Sequence, residues 1–343
     1  MDCFLRALRT LTNLLIALLL FAAGSHFVYA AQTEMDSPVI QQTPQKQITI
    51  IAQHFSSYYS TIAKSLSLSS LSNDYRIVNM SLEDWKSQRP QSELVISLGP
   101  SPLEELLKSE HQEPVLAGLI TYQDWKKAVN QYPAMDTVSA IFYDPDPNRQ
   151  IVLGKLLLPL SESVGVMYST DTPYFLQGYE QALKAMELNL QAIKIKQTSE
   201  VARRFPALSQ ESDFIIAQPD PIIYNSQTLP RVLLSSYRQR KVIIGYSTGV
   251  VNAGAVATTF TTPEMLVDDL KESAAKFLEQ GFQSFARYCK YYDIKYNTEV
   301  ARSLELDMIS KEQLQSELDK LKLETDDPAY NQSNPKTNKP ERQ

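Results

Sequence analysis

A G-x-S-x-G pentapeptide at residues 245–249 follows the apolar run 241–246 and could place Ser247 as a nucleophile at the end of a strand. A serine hydrolase of this kind needs a histidine after the serine in the chain, to accept the hydroxyl proton. The three histidines all precede the serine: His26, His54 and His111. We therefore predict that the protein is not an enzyme and that the pentapeptide is a strand-end turn. A serine hydrolase acting through Ser247 is the remote alternative.

Metal and cofactor chemistry has little support in the sequence. No histidine or cysteine pair has the HxxxH or CxxC spacing of a metal site. Asp144 and Asp146, in YDPDPNRQ, could bind a hard cation, but the prolines beside them and Arg149 favour a rigid turn and a helix cap. With ten glycines, the chain has neither a phosphate-binding loop nor a dinucleotide fingerprint. We predict no metal and no cofactor.

The two ends of the chain have compositions that differ from the middle. Residues 1–30 have the pattern of a cleavable secretory signal, with Arg6 and Arg9, an apolar run at 14–23 and a cut after Ala30. This pattern predicts a periplasmic protein, and a permanent membrane anchor is the alternative. No cysteine follows the apolar run, so we expect no lipid attachment. Residues 31–46 are predicted to be a linker, and the polar residues 325–343 a disordered tail.

The charge balance limits the class of partner. The chain has a net charge of -6 and no basic stripe, which argues against binding to nucleic acid and to anionic membrane surfaces. A small-molecule ligand remains, and we expect a monomer.

Apolar runs alternate with helical patterns along most of the chain, which is typical of parallel sheets covered by helices on both faces. Predicted strands lie at 47–52, 75–80, 93–98, 114–120, 137–143, 163–168, 190–196, 213–218, 241–246, 255–260 and 291–296. Predicted helices lie at 58–71, 82–88, 102–109, 122–131, 148–158, 174–188, 226–240, 263–280 and 311–321. The length of this region favours two α/β lobes, with a cleft between them.

Polar and aromatic residues follow the predicted strands, at the ends that line a crevice in parallel sheets. The candidate ligand-binding residues are His54, Ser56, Tyr58, Gly99, Ser101, Thr121, Tyr122 and Tyr143 in the first half, and Thr170, Gln218, Asp220, Tyr224, Tyr246 and Ser247 in the second. Hydroxyls and rings can hold a small polar molecule by neutral hydrogen bonds and stacking. For each residue a helix cap or a satisfied loop is the alternative. Asp220, between two prolines, could bind a ligand ammonium group or rigidify its turn.

Four segments resemble a known family. They are SDFIIAQPDPIIYNSQTLPRVLLSSYRQRKVIIGYSTGVVNAGAVATTFTTPEML, TVSAIFYDPDPNRQIVLGKLLLP, SVGVMYS and YNTEVARSLEL. They are similar to stretches of ABC-transporter substrate-binding proteins related to the tryptophan and tyrosine binders, over about residues 47–310. The resemblance implies a periplasmic-binding-protein type I fold, with two Rossmann-like lobes joined by a hinge of three crossings near 144–149, 256–261 and 285–292. Lobe 1 would then comprise 47–146 and 258–284, and lobe 2 would comprise 147–257 and 285–324.

The sequence thus predicts a periplasmic solute-binding protein that captures a small organic solute, an amino acid or a related carboxylate, in the cleft between the lobes. The resemblance implies that it delivers this solute to an ABC permease. A periplasmic sensor or adaptor, which uses the same cleft to signal to a membrane partner, is the alternative.

Overall fold

The computed structural model describes residues 46–109, 112–132, 136–170, 172, 176 and 178–320. The predicted signal peptide, the predicted linker up to residue 45, the predicted tail at 325–343 and His111 lie outside these residues. Within them, no helix combines the length and the apolar composition needed to cross a membrane.

Two six-stranded sheets organise the described residues. The strands are β1 (Gln47–Ala52), β2 (Arg76–Ser81), β3 (Leu94–Leu98), β4 (Val115–Ile120), β5 (Val138–Phe142), β6 (Ser163–Ser169), β7 (Asn189–Ile195), β8 (Phe214–Ile216), β9 (Val242–Ile244), β10 (Ala257–Phe260), β11 (Ala286–Tyr288) and β12 (Asp293–Tyr296). The first sheet has the order β11-β5-β4-β3-β1-β2 and the second the order β12-β10-β9-β8-β6-β7. Pairing is parallel except between β10 and the edge strand β12, which are antiparallel. The prediction of parallel sheets in an α/β protein is confirmed for all but this edge.

Helices cover both faces of each sheet. They are α1 (Ser57–Ser67), α2 (Leu82–Gln88), α3 (Pro100–Lys108), α4 (Tyr122–Gln131), α5 (Pro147–Leu157), α6 (Glu180–Ala185), α7 (Val201–Gln210), α8 (Leu229–Arg238), α9 (Thr248–Asn252), α10 (Pro263–Gln280), α11 (Thr298–Ser303) and α12 (Lys311–Lys320). Because successive strand residues point to opposite faces, Ile50 and Ile51 enter different hydrophobic clusters. Burial on both faces explains why the inner strands are apolar throughout instead of alternating.

Several predicted elements have other bounds in the structure, and four elements of the structure were not predicted. Helix α7 was missed because Pro206 interrupts its apolar pattern, although the structure accommodates this proline inside the helix. Helices α9 and α11 and strand β11 are too short to show a periodicity. The predicted helix at 58–71 ends at Ser67 and is followed by a separate 3-10 turn at Ser70–Asn73. The predicted strands at 213–218 and 241–246 are limited to β8 and β9.

The chain passes between the two sheets three times. The first crossing joins β5 to α5, the second joins β10 to α10, and the third joins β11 to β12. The second crossing therefore follows Phe260, not residue 257 as predicted, since β10 pairs along its length with β12 of the second sheet. The third crossing follows Tyr288, not residue 284, since β11 pairs with β5 of the first sheet.

Candidate functional site

The predicted residues after β1 and β3 are mostly exposed. His54, Ser56, Tyr58 and Ser101 all lie at the surface, at the carboxyl edge of the first sheet. The Tyr58 hydroxyl donates a hydrogen bond to the Tyr143 hydroxyl at 3.2 Å, so the loop after β1 and the end of β5 come together there.

Gly99 is buried at the same edge and has a positive φ of 97°, which favours glycine. A Cβ atom at Gly99 would lie 2.9 Å from the Tyr59 hydroxyl oxygen. This glycine therefore allows Tyr59 of α1 to pack closely against the start of α3.

Thr121 and Tyr122 have structural contacts at the start of α4. Thr121 and Asp124 form a reciprocal capping box, in which each side chain accepts a hydrogen bond from the other residue's N–H. The Tyr122 ring is buried against Phe142 and Tyr288, with ring centroids 5.4 and 6.0 Å away. The structure thus favours the capping alternative for Thr121, and it places the Tyr122 ring in the core.

Asp220 is satisfied by the protein itself. Its Oδ2 accepts hydrogen bonds from the Ser169 N–H at 3.0 Å and the Thr172 hydroxyl at 2.5 Å. Its Oδ1 accepts hydrogen bonds from the N–H groups of Ile222 and Ile223. Of the two interpretations of this carboxylate, the structure favours the rigid turn, because four donors already occupy its oxygens.

The other predicted residues of the second sheet differ in burial. Gln218 is buried; its Nε2 donates to the Met167 carbonyl at 3.0 Å and its Oε1 accepts from the Tyr179 hydroxyl at 3.1 Å. Tyr224 is also buried, yet its hydroxyl has no hydrogen-bond partner. The half-buried ring of Tyr246 lies 6.0 Å from that of Tyr224, and burial followed by the charge of Asp220 raises the Tyr246 pKa. Thr170 is exposed.

Ser247 begins helix α9. Its Oγ accepts a hydrogen bond from the Val250 N–H at 3.3 Å, which is the contact of an N-cap residue. The G-x-S-x-G segment is therefore a strand-to-helix turn in which the serine oxygen serves the backbone.

Replacing Ser247 with Ala is expected to lower the free energy of unfolding by about 1 kcal/mol, since the cap is lost. Urea denaturation measures this change, and hydrolysis of p-nitrophenyl acetate measures any esterase activity. Thr at position 247 should retain most of the stability because its hydroxyl also caps. Loss of a measurable esterase activity in the Ala variant would instead identify Ser247 as a nucleophile.

Two buried carboxyl groups occupy the first crossing. Asp144 Oδ1 accepts a hydrogen bond from the Tyr122 N–H at 3.0 Å, but its buried Oδ2 has no hydrogen-bond partner. Burial raises the pKa of Asp144 to about 7, and the nearby carboxylates of Asp124 and Asp146 contribute in the same direction. Asp144 is 7% exposed.

Asp146 is the N-cap of α5. Its Oδ1 accepts a hydrogen bond from the Asn148 N–H at 2.9 Å. Its Oδ2 has no hydrogen-bond partner and lies 3.7 Å from Nε of Arg149. Burial raises the pKa of Asp146, and the Arg149 charge opposes that rise.

Tyr288, at the end of β11, faces this acidic pair. Its side chain is buried and its hydroxyl has no hydrogen-bond partner. Burial, followed by the charges of Asp144 and Asp146, raises the Tyr288 pKa. The Tyr288 hydroxyl and one oxygen of each carboxylate are thus buried without a hydrogen-bond partner at the carboxyl edge of the first sheet. We refer to Asp144, Asp146 and Tyr288 as the acidic cluster.

Arg149 and Gln150, adjacent on α5, connect the three crossings. Arg149 donates from Nη1 to the carbonyl of Cys289 at 2.8 Å, in the third crossing, and its guanidinium lies 4.2 Å from the centroid of the Tyr292 ring. Gln150 donates from Nε2 to the Gly245 carbonyl at 2.6 Å and accepts at Oε1 from the Thr259 N–H at 3.0 Å. The helix that follows the first crossing is therefore bonded to the strands that lead to the other two.

From the sequence, a rigid turn and a helix cap are favoured over a cation site for Asp144 and Asp146, and neither is among the candidate ligand-binding residues. The signal that could have included Asp144 is its position directly after β5, which is the criterion that selected Tyr143. Tyr288 carried no such signal because β11 was not predicted. Among the residues the structure describes, no group of three or more His, Cys, Asp or Glu side chains is arranged to hold a metal ion.

Comparison with known proteins gives structural matches only. No protein-family profile matches the chain, and no curated protein does. A ligand-free, open substrate-binding protein with adhesive properties from Clostridium difficile superposes with a TM-score of 0.61 at 16% identity, over 78% of this chain and 97% of that one. An ABC domain from Streptococcus pneumoniae in complex with L-Trp gives a TM-score of 0.50 at 18% identity, over 78% and 98%.

The chain has the periplasmic-binding-protein type I fold. The fold resemblance stated from the sequence is therefore confirmed, including its two α/β lobes. In a periplasmic-binding-protein type I fold the carboxyl ends of both sheets are the edges where loops line a crevice. The acidic cluster and Tyr224 belong to these edges in the present chain.

Proposed function

We propose that the protein is a periplasmic solute-binding protein that captures a small organic solute, an amino acid or a related compound, for an ABC transporter. The observation that carries this proposal is a mismatch between burial and bonding at the strand ends. Asp144 Oδ2, the Tyr288 hydroxyl and the Tyr224 hydroxyl are buried yet have no hydrogen-bond partner in the protein. Buried polar groups normally have partners, and a bound solute would supply them.

Two structures with this fold support solute binding, and one of them supports an amino acid as the solute. One is named as a substrate-binding protein and the other as a complex with L-Trp. The secretory pattern of residues 1–30 supports the periplasmic location, since it predicts export of the mature chain. The tyrosines near the site supply ring faces and hydroxyls, which suit a small molecule with polar and apolar parts.

A ligand that binds only the folded state raises the melting temperature. We expect at least one member of a panel of amino acids, amines, small carboxylates and short peptides to raise it, by an amount that grows with ligand concentration. Differential scanning fluorimetry of the mature chain measures the shift, and native mass spectrometry of gently purified protein detects a retained solute. A protein that carries no small molecule after purification and melts at one temperature across the panel would contradict the proposal.

A further inference from the structure

We infer that the solute carries a protonated amine and that this ammonium group binds at the acidic cluster, with Asp144 as its principal acceptor. This inference rests on the proposed solute-binding function, and it specifies which chemical group of the solute the first sheet recognises.

Asp144 has one carboxylate oxygen with a hydrogen bond and one without. One carboxylate oxygen is occupied by the Tyr122 N–H, which fixes the orientation of the group. The other is buried, has no protein partner and carries the acceptor capacity of a carboxylate. An ammonium group donates up to three hydrogen bonds and accepts none, so it matches an oxygen that can only accept.

Two carboxylates act on Asp144 and raise its pKa: Asp124, from α4, and Asp146, from the first crossing. The buried Lys126 of α4 has its Nζ 5.9 Å from the centroid of the Tyr122 ring. Arg149 lies 3.7 Å from Asp146 and directs Nη1 to the carbonyl of Cys289, so its hydrogen bond is made to the backbone and not to Asp144. Arg149 therefore pairs with Asp146, whereas Asp144 has no ion-pair partner within the described part of the chain, so an ionised Asp144 favours a cation over an anion.

Three aromatic rings pack together at the acidic cluster. The rings of Tyr122, Phe142 and Tyr288 pack against one another beside the carboxylates, with centroids between 5.2 and 6.0 Å apart. Aromatic faces attract organic cations, and the Tyr288 hydroxyl can accept a further hydrogen bond from an ammonium group. Because these rings lie in the core, it is the Tyr288 hydroxyl, which has no partner, that adds an acceptor for the same class of ligand.

Other ligand classes fit less well. A metal ion would require more ligands than the cluster offers, because no group of three metal-binding side chains exists among the described residues. A polyol could donate hydrogen bonds to Asp144, but it would leave the buried negative charge unbalanced. A carboxylic acid without an amine would add another negative charge.

The test uses matched sets of three compounds. Each set contains an amino acid, the amine that lacks its carboxyl group and the acid that lacks its amino group, for example tyrosine, tyramine and 3-(4-hydroxyphenyl)propionate. myo-Inositol represents the polyols. Isothermal titration calorimetry on the mature chain should detect binding of the amino acid or the amine in at least one set, with the acid of that set at least about 100-fold weaker, as expected when a buried charge loses its partner.

Variants tie the effect to the cluster. Asp144→Asn keeps an acceptor for the Tyr122 N–H but removes the charge, so amine binding should weaken on the order of 100-fold. The matched control is Asp268→Asn, because Asp268 is an exposed residue of α10 outside the cluster. Binding of the amine should also weaken by about tenfold between pH 8 and pH 6, since the Asp144 carboxyl, with its pKa of about 7, must lose its proton to accept the cation.

The outcomes separate this inference from the proposed function. A deaminated acid or myo-inositol that binds as tightly as any amine would overturn the inference and leave solute binding intact. Amine binding that is unchanged in Asp144→Asn would also overturn it. If no compound binds and no solute copurifies, both the inference and the proposed function are contradicted.

Discussion

At pH 8, the ligand-free Asp144→Asn variant is expected to be more stable than the wild-type protein by about 2 kcal/mol. The Asp144 pKa rises from 3.8 to about 7 in the folded protein, mainly because burial disfavours the charged form. A rise of roughly three in the pKa corresponds to a loss of about 4 kcal/mol in the free energy of unfolding once the carboxyl is ionised. Part of the gain is offset by the amide N–H of Asn, which is buried without an acceptor and costs about 1–3 kcal/mol.

The pH dependence makes this prediction specific. The folded protein keeps the Asp144 proton up to a higher pH than the unfolded chain does, so wild-type stability should fall as pH rises between about 4 and 7. The advantage of Asp144→Asn should therefore grow by about 3 kcal/mol between pH 5 and pH 8. Urea denaturation of both proteins at the two values measures it, with Asp268→Asn as control. An Asn variant with the same stability difference at both values would show that Asp144 is ionised in the folded protein at pH 5.

The same substitution at Asp269 is expected to have the opposite sign. Asp269, in α10, is fully buried, and both oxygens accept hydrogen bonds at 2.7 Å from the guanidinium of Arg287 in β11. Its Oδ2 also accepts from the Lys290 N–H at 2.9 Å. Removing one charge of a buried ion pair leaves the other without compensation, so Asp269→Asn should cost about 3 kcal/mol at pH 7.

A surface pair of similar geometry supplies the control. Arg240 donates to both oxygens of Glu305, at 3.0 and 3.3 Å, but both side chains are largely exposed. Glu305→Gln should change the free energy of unfolding by less than about 1 kcal/mol. The Arg287 contacts hold the Asp269 pKa below its usual value, so the Asp269 contribution is present above about pH 4 and is lost as pH falls through the lowered pKa. An equal loss of unfolding free energy in Asp269→Asn and Glu305→Gln would contradict the dependence on burial.

These two aspartates illustrate what the sequence could and could not predict. Apolar runs such as LVISL in β3 and VSAIF in β5 are long enough to fix the sheets from their pattern. The α/β fold and the neighbourhood of the three crossings were therefore predicted correctly. The limits of the lobes were displaced by a few residues at β10 and β11, because those short strands are defined by pairing partners far away in the chain.

The candidate site depended on information that a linear pattern does not contain. Position after a strand selected Asp220 and Tyr224 equally well, yet four donors satisfy the carboxylate of Asp220 while the Tyr224 hydroxyl has none. The prolines beside Asp144 favour a rigid turn when only the sequence is considered. Its burial and its unpaired oxygen result from packing against Tyr122 and Tyr288, which are 22 and 144 residues away along the chain. The membership of the site therefore stays a prediction for experiment.

The paired contacts of Arg149 and Gln150 have a mechanical consequence. If the three crossings were independent, each could twist separately, and the two lobes could rotate relative to each other about several axes. Because neighbouring residues of α5 bond to the Cys289 carbonyl and to the Thr259 N–H, we expect the three connections to turn together. We expect the lobes to rotate about a single axis close to the start of α5, adjacent to Asp144 and Asp146. A cation bound at these residues would then lie on the axis and move little when the lobes rotate.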